Sequence, residues 1–500
     1  VPFIIYTINR LLCIQYIAMT IKNKTNSNSN SKTKRHIKTK TYLEKGGNIL
    51  ASGGFGCVFS PALKCKGKKK RGKNQISKLM TEKHAHSEYE EIVHIKEKLQ
   101  HVKDYTDYYL IYDVSICKPA PLSKTDLDNY TSKCRALPKD KIIKTNINKN
   151  LDKLYALNMP YGGLPVDDYI YKNGSFEKMY KVHTHLIKLL KKGILPMNEK
   201  HIFHSDIKDS NVLIDSADKT RLVDWGLSVE YLPFKNHTFP FSWRNRPFQF
   251  NVPFSVILFS DSFVEKYSAF LRNKGKPTKD ELKPFVIQYI TDWMQQRGAG
   301  HYKFINEIMF ELFSHESLSS PSLSSTSLSS PSLSSTSLSS TSLKPETIET
   351  QITMPLIVNY IVDVLEHYTT SDHNVKKSLR NYLDKVFIKI IDIWGFISVY
   401  YVFIEILSHN YNKLTKQEVE LFQKLKYIFL EYLYHPRHEP ISMNELYSDL
   451  EKISELIQAI LHTIPNAQGK TRKHPFSKKM VSFKRRPKQK RFQHPFFLKK

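Results

Sequence analysis

"IFHSDIKDSNVLID", residues 202–215, places a His, two Asp, a Lys and an Asn in eight positions between two apolar pairs. Two readings compete for it. It is either an ordinary polar loop between strands, or a set of groups arranged around a transferring phosphoryl. Such a transfer needs groups that hold the phosphates, groups that hold a divalent cation, and a carboxylate that orients the attacking hydroxyl. Asp206 suits the last task. Lys208, two residues on, can balance charge on the transferred group, and the amide oxygen of Asn211 can meet magnesium. The pattern alone is only moderately specific, so the partners elsewhere in the chain decide.

Thirteen residues after Asn211, the β-type run "TRLV" delivers Asp224 into the turn "DWG". A carboxylate there, beside a conformationally free Gly226, can bind a hard cation. Upstream, "ILASGGFGCVF" (49–59) carries Gly53, Gly54 and Gly56 between two β-type runs. Glycines let a backbone approach phosphates closely, and Phe55 is placed to cap the turn. No helix follows directly, which disfavours a dinucleotide-binding fold. In "QISKLM" (75–80), Lys78 shares a strand face with Ile76 and Met80 and calls for an anionic partner.

Taken together, these stretches resemble the eukaryotic-type protein kinase superfamily. "ASGGFGCV" resembles its glycine-rich loop, with Ala51 in place of the first Gly. "ISKL" resembles the strand of the nucleotide-binding Lys, "HSDIKDSN" the catalytic loop HRDxKxxN, and "DWG" the motif DFG. "DIWGFISVYYVFIEIL" (392–407) is similar to the helix whose Asp, here Asp392, braces that loop. The resemblance covers roughly 46–235 and 385–463. An APE motif is missing where "NRPFQFNVPFSVILF" stands. The wording and the wealth of Lys, Asn, Ile and Tyr resemble kinase-like proteins of giant DNA viruses, which implies host cytoplasm or a virion as the location.

The resemblance implies an α+β, bilobal kinase-like fold with a small β-rich N-lobe (46–160) and a large helical C-lobe (161–465). It implies an ATP- and Mg2+-dependent serine/threonine protein kinase acting on protein hydroxyls. Asp206 would be the base, with Lys208 beside it. Asn211 and Asp224 would hold magnesium. Ala51, Ser52, Gly53, Gly54, Phe55, Gly56, Cys57 and Val58 would cover the phosphates, which Lys78 would hold. Lys78 would pair with Glu88, which shares a helix face with Ile92, Ile95 and Leu99; Glu91 is the second choice. Met159 and Tyr161, in "LNMPYG", would meet adenine through backbone groups. Ser205 replaces the Arg that binds a phosphorylated activation loop in many members, so activity independent of such phosphorylation is expected. A nucleotide-binding scaffold without turnover and a small-molecule phosphotransferase are the alternatives.

Residue patterns fill in the rest. The short β-type runs "CVFS", "QISKLM", "YYLIYDV" and "LYALNMP" read as strands, and 84–100 reads as a helix. Another helix is expected from a Ser175 cap to a stop at Gly193, with further helices at 281–313, 352–366, 381–408, 415–433 and 445–463. Residues 236–384 read as a long insertion, and its "SLSSP/SLSST" repeat (317–343) cannot build a packed core. Five scattered Cys without a CxxC pair argue against a disulfide framework or a zinc site, and favour a reducing compartment. The apolar start, 1–18, is interrupted by Arg10; Met19 reads as the start of translation, and no membrane span is expected.

The net charge of +29 sits mostly at the ends. Residues 470–500 hold thirteen Lys/Arg and no acid, and the polar arm within 1–45 is also basic. Phe and His interleave the basic residues of the 466–500 tail, which suits nucleic acid or another acidic partner. Deleting 466–500 should weaken single-stranded nucleic-acid binding and flatten its salt dependence in a titration at several ionic strengths. Unchanged binding would remove the tail from any such role.

Overall fold

Glycine and alternation build the first element. In the computed structural model, Asn48–Ser52 (β1) and Gly56–Ser60 (β2) form a hairpin, and Gln75–Thr81 (β3) adds to it. Ser115–Cys117 (β4) and Leu154–Pro160 (β5) complete a five-stranded antiparallel sheet in the order β1-β2-β3-β5-β4. Gly56 is required where it stands. A Cβ there would lie 2.3 Å from Met80 Cγ and 2.7 Å from the Leu79 carbonyl.

The structure describes residues 47–463, except 237, 273–274 and 316–343. The expectations for the arm within 1–45, the repeat 317–343 and the tail 466–500 fall outside these residues. The described residues belong to one compact unit. It is mixed α+β, with the small antiparallel sheet N-terminal and a helical part following.

One face of the sheet receives helix α1 (Glu82–Leu99), which buries Ala85, Ile92, Ile95 and Leu99 at three-four spacing. The other face is covered by 118–153, a stretch of short turns. Ile49, Cys57, Phe59 and Leu79 from the sheet pack there against Leu122, Leu127, Tyr130, Ala136 and Ile147. The Cys57–Cys134 disulfide staples this cover to β2, and Cys65–Cys117 ties the β2–β3 loop to β4. The expectation of unpaired cysteines is thus corrected for four of the five. Each pair is 77 or 52 residues apart in sequence, so no local spacing announces it. The case for a reducing compartment loses its support with it. Asp126 adds a polar staple, accepting from Gly47 N at 2.6 Å and Arg71 Nη2 at 2.9 Å.

Several boundaries differ from expectation. "YYLIYDV" is not a strand; Tyr109 and Leu110 are buried and meet Leu222 through an isolated bridge, and β4 begins only at Ser115. The helix capped by Ser175, α2 (Phe176–Leu189), does not stop at Gly193. It runs on through a wider turn, Leu190–Ile194, into Leu195–Glu199. Tertiary contact overrides the glycine signal: Tyr109 Oη donates to the Gly193 carbonyl at 2.7 Å, and the side chain of Tyr108 takes the space beside it, its Cβ 3.0 Å from where a Gly193 Cβ would stand.

Short pairs follow: Leu164–Pro165 (β6), Ile202–Phe203 (β7), Val212–Ile214 (β8), Thr220–Leu222 (β9) and Val229–Glu230 (β10), paired as β6-β8-β9 and β7-β10. The remaining helices include Lys279–Arg297 (α3), Met354–Tyr368 (α4), Ile388–Ser398 (α5), Tyr401–His409 (α6), Lys416–Phe429 (α7) and Met443–Thr463 (α8). The described residues of 236–384 pack into this body. Phe254 packs edge-on against Trp394, Trp394 Nε1 donates to the Phe250 carbonyl at 3.0 Å, and α4 joins the same core as α5 to α8. Val375–His409 has the length and apolarity of a membrane span, yet 94% of its apolar window is buried within the protein.

Each disulfide closes a long loop, so each should contribute about 4 kcal/mol by the chain-entropy account. Cys57→Ser or Cys134→Ser should lower the thermal midpoint by several degrees, and reductant should lower the parent's midpoint by more than the variant's, which keeps only Cys65–Cys117. Equal midpoints with and without reductant would show that the staples add nothing.

Candidate functional site

The loop between β7 and β8 is shaped by a buried carboxylate. Asp392, on α5 and wholly buried, accepts from His204 N at 2.9 Å and Ser205 N at 2.8 Å. Ser205 is held at φ +58, a conformation a non-glycine residue adopts only when its surroundings insist. Gly395 lets the helix come this close, since a Cβ there would lie 2.8 Å from Ile207. Burial raises the pKa of Asp392 to about 7, against the two backbone donors that favour its charge.

Asp206 lies just beyond, also buried. Its Oδ2 accepts from Lys208 Nζ at 2.5 Å and Asn211 Nδ2 at 3.0 Å. Its Oδ1 accepts from Asn251 Nδ2 at 2.9 Å and Arg246 Nη2 at 3.3 Å. Burial works to raise its pKa, but the charges of Lys208 and Arg246 outweigh it and hold the carboxyl well below the usual range. His204 packs on Trp225 and bonds the Val223 carbonyl at 3.1 Å; burial lowers its pKa to about 4, so it is a neutral packing residue.

Asn211 and Asp224 are brought together by the β8–β9 ladder, whose end bond runs from Val223 N to the Asn211 carbonyl at 3.1 Å. The Asn211 amide nitrogen is spent on Asp206, which turns its oxygen away from that residue. Asp224 stands exposed at φ +66, beside Gly226 with open space around it. One amide oxygen and one carboxylate, both hard donors, fit a magnesium ion that keeps waters and phosphate oxygens in its remaining positions. Among the described residues no cluster of three or more His, Cys, Asp or Glu is arranged to hold a metal by itself.

Lys78 lies in the middle of β3, and its Nζ meets both Glu88 oxygens at 2.6 Å. Burial would lower its pKa, but Glu88 and Asp224 raise it, so the ammonium keeps its charge. The glycine turn lies over it: a Cβ on Gly53 would be 3.7 Å from Lys78 Cε. Gly54 is in the same turn, and Ala51 and Ser52 pair with Val58 and Cys57 across the hairpin. Ser52 Oγ accepts from Arg135 N at 3.0 Å, tying the hairpin to its cover. Phe55 does not fold over the turn; it stacks on His84 at the start of α1, 4.3 Å between ring centres. Tyr161 N is already donated to the Asn74 carbonyl at 2.9 Å, and Pro160 has no N–H, so an adenine beside Met159 and Tyr161 would find carbonyls more readily than donors.

No protein-family model matches this chain, and no curated protein matches it.

Helix α1 carries a second set of links. Glu230 on β10 accepts from Lys98 Nζ at 2.8 Å and meets His94 Nε2 at 3.0 Å. Glu91, the second choice for the Lys78 partner, faces Ser228 instead; burial and the neighbouring Glu88 raise its pKa to about 7. The segment after Asp224 is therefore fastened to the helix that carries Glu88. Sequence reading missed Glu230, Arg246 and Asn251, since nothing local marks them. A cleft of about 360 Å3 lined by His367, Lys385 and His438 contains none of these residues.

Asp392→Ala should strand the His204 and Ser205 amides and cost about 2–4 kcal/mol in urea unfolding. Asp392→Asn, which keeps one acceptor, should cost less. Equal losses would show that hydrogen bonding to this loop is not what Asp392 supplies.

Proposed function

We propose that the chain is an ATP- and Mg2+-dependent serine/threonine protein kinase with a bilobal kinase-like fold. The carrying observation is that three distant parts of the chain meet: Lys78, paired with Glu88, feels the charge of Asp224, Val223 beside Asp224 bonds the Asn211 carbonyl, and Asn211 and Lys208 both donate to Asp206. Lys78, fixed by Glu88, holds phosphate oxygens. Asn211 and Asp224 hold magnesium, which when bound screens the phosphate charge. Asp206 orients the acceptor hydroxyl and takes its proton, and Lys208 moves its charge toward the phosphoryl group. Lys208 also favours a Ser/Thr acceptor over Tyr by resemblance to the family. The Glu230 contacts with Lys98 and His94 supply an anionic link to α1 without phosphorylation, which supports activity that needs no activating kinase. Host cytoplasm or virion remains the location the resemblance proposes.

Residues 19–500 with Mg-ATP should label a generic basic protein on Ser/Thr, and Asp206→Asn should reduce this by at least about a hundredfold while ATP still binds. ATP binding without transfer in the parent chain would favour the nucleotide-binding scaffold. Transfer that persists in Asp206→Asn would overturn the assignment.

A further inference from the structure

Asp206 is held from two sides, and the sequence foretells only one. Lys208 and Asn211 come from its own loop. Arg246 and Asn251 come from a stretch forty and more residues later, where the resemblance fails. A carboxylate has about four acceptor positions, and these four donors occupy them. Arg246 is wholly buried. Its Nε donates to Gln249 Oε1 at 2.6 Å, its Nη2 reaches Asp206, and its Nη1 finds no acceptor. A buried guanidinium with a donor unmet is costly, so packing alone does not account for it. Its compensating charges are Asp206 and Asp392, the two carboxylates that organise the catalytic loop. Asn251 Nδ2 is shared between Asp206 Oδ1 and the Ile207 carbonyl, the latter at 3.1 Å, which pins the same loop from the same side.

We propose that Arg246 and Asn251 are positioning residues for Asp206, an inference that rests on the kinase reading above. They hold Oδ1 and so set the plane of the carboxylate. Oδ2 is then the oxygen that serves the acceptor, becoming available as Lys208 turns to the phosphoryl group. The acceptor O–H gives its proton to Oδ2 while its oxygen bonds the γ-phosphorus. The bond from that phosphorus to the bridging oxygen breaks, and ADP leaves with the electron pair. The stretch 246–251 is thereby part of the catalytic centre, and its conformation sets the turnover rate.

The test is steady-state kinetics with direct ATP binding for the parent chain, Arg246→Gln, Arg246→Lys and Gln249→Ala. Misplacing a reacting group by an ångström costs about a hundredfold, so Arg246→Gln should lose kcat on that scale, with KM for ATP and ATP affinity within twofold. Arg246→Lys should recover part of the loss. Gln249→Ala, at a half-buried position, removes the Nε acceptor while leaving the Asp206 contact in place and should lower kcat several-fold, so the inference stays testable if Arg246→Gln does not fold. Parental kcat in Gln249→Ala together with Arg246→Lys would overturn the clamp. Equal losses in kcat and ATP affinity would also overturn it, by showing a structural role alone. A parent chain that transfers no phosphate would overturn the kinase reading itself, and the clamp with it.

Discussion

The buried Asp392 carboxylate is the contact on which the site depends. A charge taken out of water is tolerated when strong donors surround it, and here two consecutive backbone amides do so. They come from the residues just before Asp206, one of them at positive φ. Helix α5, an apolar element at the centre of the helical core, thereby dictates where Asp206 lies. The helix itself is anchored for an ordinary reason: nearly all of its side chains are buried. Rigidity made by hydrophobic packing is passed to a polar loop through one side chain.

A similar division of labour holds the N-terminal part. The sheet that carries Lys78 is covered by α1 on one face and by 118–153 on the other. The Cys57–Cys134 disulfide and the Asp126 contacts fasten that second cover, so a sheet of short strands gains two apolar layers. The glycine turn is tied at its root by Cys57 and Ser52, while the turn itself is left open above Lys78. Helix α1 is held between Glu88–Lys78 on the sheet side and Glu230 on the other. The exposed Glu230 contacts are individually weak; their effect is to orient α1, not to stabilise the whole chain.

Much of the site was legible because its chemistry needs particular side chains at short spacings. Asp206, Lys208 and Asn211 are bound to one loop, and Glu88 follows from helical periodicity on a strand-to-helix junction. Helix α8 was readable for the same reason, its apolar residues repeating over six turns. The misreadings share a different cause. Gly193 signalled a helix end, but the side chain of Tyr108 makes use of the missing Cβ. "YYLIYDV" is rich in strand-forming residues, yet meets its neighbour through one isolated bridge and not a ladder. The cysteines looked scattered because pairing at 52 and 77 residues leaves no local mark.

The sequence by itself determined the chemical inventory: which loop carries the carboxylate and lysine, which turn carries the glycines, and which helix carries the partner of Lys78. These are consequences of side-chain type and of periods of two and 3.6 residues, which act over a few positions. Tertiary structure alone decided which distant groups complete the site. Arg246, Asn251, Glu230 and the two disulfides reach their partners only after the core has folded, and burial then makes each contact strong or costly. Pairwise distance in the folded chain, which no local pattern encodes, is the reason.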